Sequence, residues 1–183
     1  MGILNLVRVP SEALRQKSLP VAVFDKRLKK LARDMADTLN IQENPPGVGL
    51  AAIQVGIAKR MFLMKPGEKI RVVINPEIVW KSESEETISK VEKKDVWEGC
   101  LSVPGHFGEV KRAKQIKLRY QTFDLSKEEL KPVTKETLFR GFSARIVQHE
   151  MDHLNGGLFV DELLKQKGRL FKIREGEWEE VKL

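Results

Sequence analysis

The segment His149-Glu150-Met151-Asp152-His153 constrains this 183-residue chain more than any other stretch. On a helix, residues four apart are neighbours on one face. Both imidazoles can then reach a single metal ion while the glutamate beside the first projects toward the same space. Two ligands and a base are thereby in place. Phe142, Ile146, His149, Glu150 and His153 fall close to one face of the expected helix, and Asn155-Gly156-Gly157 supplies its C-terminal stop. The five-residue pattern is short enough to arise by chance, and two histidines on a helix are more often ordinary polar residues than ligands.

A catalytic site of this kind normally holds its metal with three protein side chains and keeps a fourth position for water. The chain has three histidines and one cysteine. His106 sits in a Gly- and Pro-rich stretch read as a surface loop. Cys100, at the end of an expected strand within Glu98-Gly99-Cys100-Leu101-Ser102, is the better third ligand. A cysteine and two histidines would offer one sulfur and two nitrogens to a divalent ion. Taken alone, an isolated cysteine is more often a small buried apolar residue, so its neighbours must decide. Being single, it excludes an intramolecular disulfide.

Between Phe24 and Leu39, apolar residues at 24, 28, 31, 35 and 39 recur at helical spacing, with Asp25 placed to cap the start. Asn44-Pro45-Pro46-Gly47 breaks that pattern into a loop. Short β-prone runs follow at Arg60 to Met64, Arg71 to Asn75 and Ile78 to Trp80. Ile116, Leu118 and Tyr120 alternate with Lys117, Arg119 and Gln121, as in an antiparallel strand with one wet face. The mixed-charge stretch from Lys81 to Asp95 reads as an exposed loop or hairpin tip, and Leu170 to Ile173 as a short strand before a charged tail.

Length and a hydrophobic fraction of 41% fit one compact domain spanning 1–183. No apolar run approaches the roughly 18 residues that cross a bilayer, and MGILNLVRVP lacks the build of a signal peptide, so a soluble cytoplasmic protein is expected. Leu6 stands where a myristoylation pattern needs Ser or Thr. The net charge of +7 would raise encounter rates with polyanions such as ribosomal RNA. Lys and Arg are interspersed with acidic residues, however, and no RNA-binding motif is present. A solvated basic surface without a specific nucleic-acid partner is the preferred reading.

Three segments occur together: Gly47-Val48-Gly49-Leu50-Ala51-Ala52-Ile53-Gln54, Glu98-Gly99-Cys100-Leu101-Ser102 and Gln148-His149-Glu150-Met151-Asp152-His153. In this order and spacing the chain resembles the peptide deformylase family, whose motifs read G-x-G-L-A-A-x-Q, E-G-C-L-S and Q-H-E-x-D-H. The resemblance implies an α+β fold with antiparallel β-sheets packed around a central helix that carries the two histidines. It implies that Cys100, His149 and His153 bind one divalent metal ion and that Glu150 is the general acid and base. Gln54 and the backbone N–H of Leu101 would stabilise the oxyanion, and Gly49 would pair its backbone with the substrate's. Iron(II) is the metal the family favours in cells; zinc, nickel or cobalt also suit the donors. The implied substrates are N-formylmethionyl nascent peptides and the implied product is formate. Glu98 and Arg112 match positions that form an ion pair beside the metal loop.

The residue types suit that chemistry without the family. A formamide is a poor electrophile and water a poor nucleophile; a bound divalent ion can polarise the one and lower the pKa of the other toward about 7. Glu150, taking the water's proton and passing one to the leaving amine, would contribute roughly a hundredfold to ten-thousandfold. Glycines 47 and 49 let a peptide approach as an added strand, or simply make a turn. Val48, Phe142 and Ile146 are candidates for a methionine side-chain pocket, with core packing an equal alternative for each.

Three departures stand out. Phe107 occupies a position where many bacterial members carry an arginine that contacts the substrate backbone. The insert near Ser84 to Lys94 is longer than in compact members, and the tail lacks the long basic helix used for ribosome docking. At most a transient ribosome association is expected, and otherwise a monomer. Two rivals remain at this level: a general zinc metallopeptidase with Glu175 as third ligand, and a metal-stabilised RNA-binding or ribosome-associated module.

Overall fold

The computed structural model describes residues 2–43, 46–86, 97–174 and 176–182. In chain order, α1 (Lys26–Asn40) is followed by β1 (Gly49–Ala51), β2 (Met61–Met64), β3 (Arg71–Lys81), β4 (Glu85–Glu86) and β5 (Glu98–Cys100). Next come β6 (Val103–Gly108), β7 (Arg112–Ala113), β8 (Gln115–Thr122) and β9 (Val133–Arg140). The chain then forms α2 (Gly141–Leu154), α3 (Phe159–Gln166) and a hairpin of β10 (Leu170–Arg174) and β11 (Glu177–Val181). The strands pair antiparallel in three sheets, ordered β1-β2-β3-β8-β9, β11-β10-β6-β5 and β4-β7. The α+β architecture implied by the motifs is the one observed.

The pleat of the five-stranded sheet sorts its side chains into two cores. Successive residues of a strand point to opposite faces. Phe62, Met64, Val73 and Ala51 accordingly join Ile146, Val147, Met151 and Leu154 of α2, whereas Met61, Leu63, Val72, Ile74 and Leu50 pack with Leu28, Met35 and Leu39 of α1. That explains why β2 reads Met-Phe-Leu-Met with no polar residue: all four positions are buried between the two helices. Burying side chains of this size contributes about 1.5–3 kcal/mol each, and α2 is held chiefly by this face. β8, covered on one side only, keeps the alternation expected of it, with Ile116, Leu118 and Tyr120 buried.

α1 starts where Asp25 Oδ1 accepts the Leu28 N–H at 2.8 Å. α2 ends at Asn155, and Gly156 follows with φ +79°. A β-carbon on Gly156 would lie 2.9 Å from the Arg15 carbonyl carbon, so the glycine admits both a left-handed turn and the crossing N-terminal segment.

Several expectations need correction. The runs at 71–75 and 78–80 form one strand, because its register with β8 shifts between Ile74 and Glu77 and so absorbs Pro76 without a break. His106 lies in β6 and not in a loop. The charged tail forms β11, since pairing with β10 compensates for its low hydrophobicity. Of the stretch at 81–95, Lys81 ends β3 and residues 85–86 form β4, while 87–96 lie outside the described residues, as do residues 44 and 45 of the expected Pro-Pro loop.

Gly156→Ala is expected to lower stability by roughly 1–3 kcal/mol through the left-handed backbone and the clash with residue 15. Urea unfolding monitored by far-UV circular dichroism measures it, and an unchanged midpoint would contradict this account of the turn.

Candidate metal centre

Cys100, His149 and His153 are buried and converge. Cys100 Sγ lies 3.2 Å from His153 Nε2, which lies 3.2 Å from His149 Nε2, and the three donor atoms all fall within 4.8 Å of one another. Bonds of roughly 2.0–2.3 Å at tetrahedral angles separate neighbouring donors by about 3.3–3.6 Å, so this spacing suits a first-row divalent ion. The helix supplies the two imidazoles one turn apart, and β5 supplies the sulfur from the facing sheet. His106 is remote from this role; its Nδ1 is 2.9 Å from the Pro104 carbonyl. Glu175, the rival third ligand, lies outside the described residues.

The orientation of His149 is fixed by Glu98, whose Oε1 accepts from His149 Nδ1 at 2.8 Å. With the proton on Nδ1, the lone pair of Nε2 points at the shared centre. Glu98 is itself clamped: Arg112 donates from Nη2 to Oε1 at 2.6 Å and from Nε to Oε2 at 3.1 Å, and Arg145 Nη1 donates to Oε2 at 3.0 Å. Arg112 Nη1 also pairs with Asp152 at 2.8 Å. Burial alone would raise the Glu98 pKa, but the Arg112 charge and the hydrogen bonds from His149 and Arg112 hold it well below the usual carboxylate range.

The centre is electrostatically prepared for a cation. Burial pushes the Cys100 thiol up, yet the His153 charge and hydrogen bonds from both imidazoles bring it well below its ordinary value. Burial pushes His149 down, and its contacts with Cys100 and Glu98 raise it well above the usual histidine range. A thiolate that draws a proton onto the neighbouring His149 is a thiolate that binds a divalent ion in its place. Glu150 is pushed up to about 7 by burial, opposed by the charges of His149 and His153. Its Oε2 has no hydrogen-bond partner among the described residues.

A cavity of about 560 Å³ opens beside this centre. It is lined by Cys100, His149 and Glu150, and by the expected Val48, Gly49, Gln54, Leu101, Phe142 and Ile146. Ile146 belongs to the core as well, whereas Phe142 is half exposed at the rim. Gln54 is buried, accepts from Ala51 N at 2.8 Å, and directs Nε2 toward Cys100 Sγ at 3.5 Å and Ser102 Oγ at 3.2 Å. A β-carbon on Gly49 would sit 2.8 Å from Glu150 Cδ and 3.1 Å from Ile146 Cγ2, so only glycine lets β1 lie this close to the carboxylate. Among the described residues β1 is also an edge strand, paired with β2 alone.

Sequence reasoning missed Arg145 and Trp97, which both line the cavity. Arg145 had a readable signal, because it lies one helical turn before His149. Trp97 had none, since β5 is too short for its alternation to be recognised.

Arg112→Ala, which leaves Glu98 with fewer cationic partners, is expected to weaken metal retention about 10–100-fold, measured by chelator competition. Unchanged affinity would mean that Arg112 does not position His149 through Glu98.

Residues 3–169 match the family model described as polypeptide deformylase. The chain is 37% identical over 183 residues to peptide deformylase 1 of Ralstonia nicotianae, covering 95% of this chain and 94% of that one. It is 42% identical over 167 residues to the Nitrosococcus oceani peptide deformylase, covering 88% and 87%. Among solved structures, the Ehrlichia chaffeensis peptide deformylase in complex with actinonin aligns with a TM-score of 0.78 at 34% identity, covering 91% of this chain and 92% of that one. The Thermotoga maritima peptide deformylase aligns at 0.73 with 38% identity, covering 88% and 98%. A matched length that takes in all three motifs and a shared fold lead to one conclusion: this chain belongs to the peptide deformylase family of metallohydrolases.

Proposed function

We propose that the chain acts as one catalytic domain that hydrolyses the formyl group from N-formylmethionyl nascent peptides, releasing formate and a free amino terminus. The observation that carries this reading is the meeting of one sulfur, two imidazole nitrogens and a buried glutamate at the wall of an apolar cavity flanked by an edge strand. Cys100, His149 and His153 hold one divalent ion, iron(II) in the cell, with zinc, nickel and cobalt as alternatives. Bound there, the ion supplies water activated at neutral pH and a positive charge for the formyl oxygen.

The remaining work falls to the protein. A peptide added along the free edge of β1 places its backbone against Gly49 and its methionine side chain among Val48, Phe142 and Ile146. Glu150 takes the proton of the attacking water on its carboxylate and returns one to the leaving amine nitrogen. Gln54 Nε2 and the Leu101 N–H donate to the carbonyl oxygen as charge builds on it. An uncharged amide suits that task, since it neither neutralises Glu150 nor competes as an anionic ligand. The reaction belongs in the cytoplasm, with the chain working as a monomer. The +7 charge favours brief encounters with the polyanionic ribosome. No helix of the described residues is long and apolar enough to cross a membrane.

Formate release from formyl-Met-Ala-Ser tests the reading directly; a metal-replete sample that releases none overturns it. Cys100→Ser is expected to lose bound metal and activity together, whereas full retention of both would favour a different third ligand. Glu150→Gln should keep its metal and lose about a hundredfold to ten-thousandfold in kcat. Gly49→Ala, whose methyl group displaces the Glu150 carboxylate, should lower kcat with metal content unchanged, and wild-type turnover would show that the carboxylate needs no such clearance.

A further inference from the structure

Gln54 and Leu101, the two residues that donate to the developing oxyanion, stand on different sheets. Gln54 lies in one helical turn, Ala52–Val55, that follows β1 of the five-stranded sheet. Leu101 and Ser102 make the turn between β5 and β6 of the four-stranded sheet. One link between the turns is the Gln54 side chain, whose Nε2 donates to Ser102 Oγ at 3.2 Å and faces Cys100 Sγ at 3.5 Å. The same nitrogen turns to the substrate oxygen during the reaction, so this link loosens when the spacing matters most.

A second link uses backbone alone. The Val7 N–H donates to the Gln54 carbonyl at 2.8 Å, and the Val9 N–H donates to the Ser102 carbonyl at 3.0 Å. Residues two apart present their N–H groups along one edge of an extended chain, so a short N-terminal segment bridges both turns. Its side chains are seated in both neighbouring cores. Leu4 and Leu6 pack on the cluster of Leu50 and Ala52, which Leu101 also joins, whereas Val7 packs on the cluster of Cys100 and Val103. None of residues 7, 8 and 9 lines the cavity.

We infer that Val7-Arg8-Val9 is a positioning strap: through its two main-chain bonds it sets the spacing of Gln54 Nε2 and the Leu101 N–H across the site. The inference rests on the deformylase reading and adds positioning residues to it. Donors aimed at developing charge lower the barrier because they are already in place, and a misplacement of about 1 Å costs on the order of a hundredfold. The strap therefore acts on turnover, leaving the metal donors and the peptide pocket as they are.

The test removes single hydrogen-bond donors. Putting the α-hydroxy acid analogue of valine at position 7 or 9 turns the donating N–H into an ester oxygen and keeps the side chain. Each ester variant should release formate from formyl-Met-Ala-Ser with kcat lowered about tenfold to a hundredfold, while KM and bound metal stay within about twofold of wild type. The same exchange at Leu6, whose N–H takes no part in the bridge, is the control. In a Gln54→Ala background the ester at position 7 should cost less than about threefold, because the donor it positions is gone. Unchanged kcat in both ester variants, the same loss in the Leu6 control, or the same loss in the Gln54→Ala background overturns the strap. The Gln54 side-chain amide signal of zinc-loaded protein, read by NMR without turnover, should shift in both ester variants. That shift, in a protein whose wild type releases no formate, would support the strap and overturn the deformylase reading; normal wild-type release with an unmoved signal and unchanged kcat would do the reverse.

Discussion

The carboxylate of Glu98 is the interaction on which the site depends. It receives His149 Nδ1, the Nε and Nη2 edge of the Arg112 guanidinium and Arg145 Nη1, and so ties β5, β7 and α2 together at one point. Buried ion pairs of this kind are poor evidence for stability, because desolvation offsets much of their attraction. Their value here is geometric. With Glu98 ionised and fixed, His149 has one tautomer and one ring orientation, and its second nitrogen faces Cys100 and His153. The charges also balance in a telling way. Glu98 is answered by Arg112 and Arg145 and Asp152 by Arg112, while the Cys100 sulfur faces the imidazoles of His149 and His153. A buried thiolate beside two imidazole nitrogens is a donor set that suits a divalent ion.

The fold delivers these groups through the simplest periodicities available. The 3.6-residue turn of α2 puts Arg145, His149 and His153 in a column four residues apart, while Ile146, Val147, Met151 and Leu154 anchor the helix to the large sheet. Because α1 closes the opposite face of that sheet, β1 and β2 are buried on both sides and cannot drift relative to α2. The close passage of Gly49 along Glu150 and Ile146 depends on that double support.

What the sequence made legible follows from the same physics. α1, β8 and α2 announce themselves because each is amphipathic over at least eight residues, long enough for a period to repeat. Cys100 could not be placed by periodicity, since β5 is three residues long; ligand chemistry made it the better third candidate, and the match of its neighbours to a family motif joined it to the histidines. β9 and β11 were hidden for another reason. Their faces are mostly wet, so neither composition nor alternation separates Thr134-Lys135-Glu136 or Glu179-Glu180 from loop, and partner strands β8 and β10 supply what local preference lacks. The Glu98 to Arg112 pair was readable from the motif, but Arg145 and Asp152 completed the network only in three dimensions.

The pleat of β5 gives the site its division of labour. Glu98 and Cys100 point toward α2 and α3, where Cys100 packs with Leu158, Phe159 and Leu163, and Trp97 and Gly99 point to the aromatic side, that of Phe171 and Phe107. Glu98 and Cys100 therefore occupy one face of a three-residue strand, and Gly99 the other. On the first face, Cys100 keeps its sulfur within 4.8 Å of the His149 and His153 donor nitrogens, a convergence from β5 and α2 that a bound ion would tolerate only within a few tenths of an ångström.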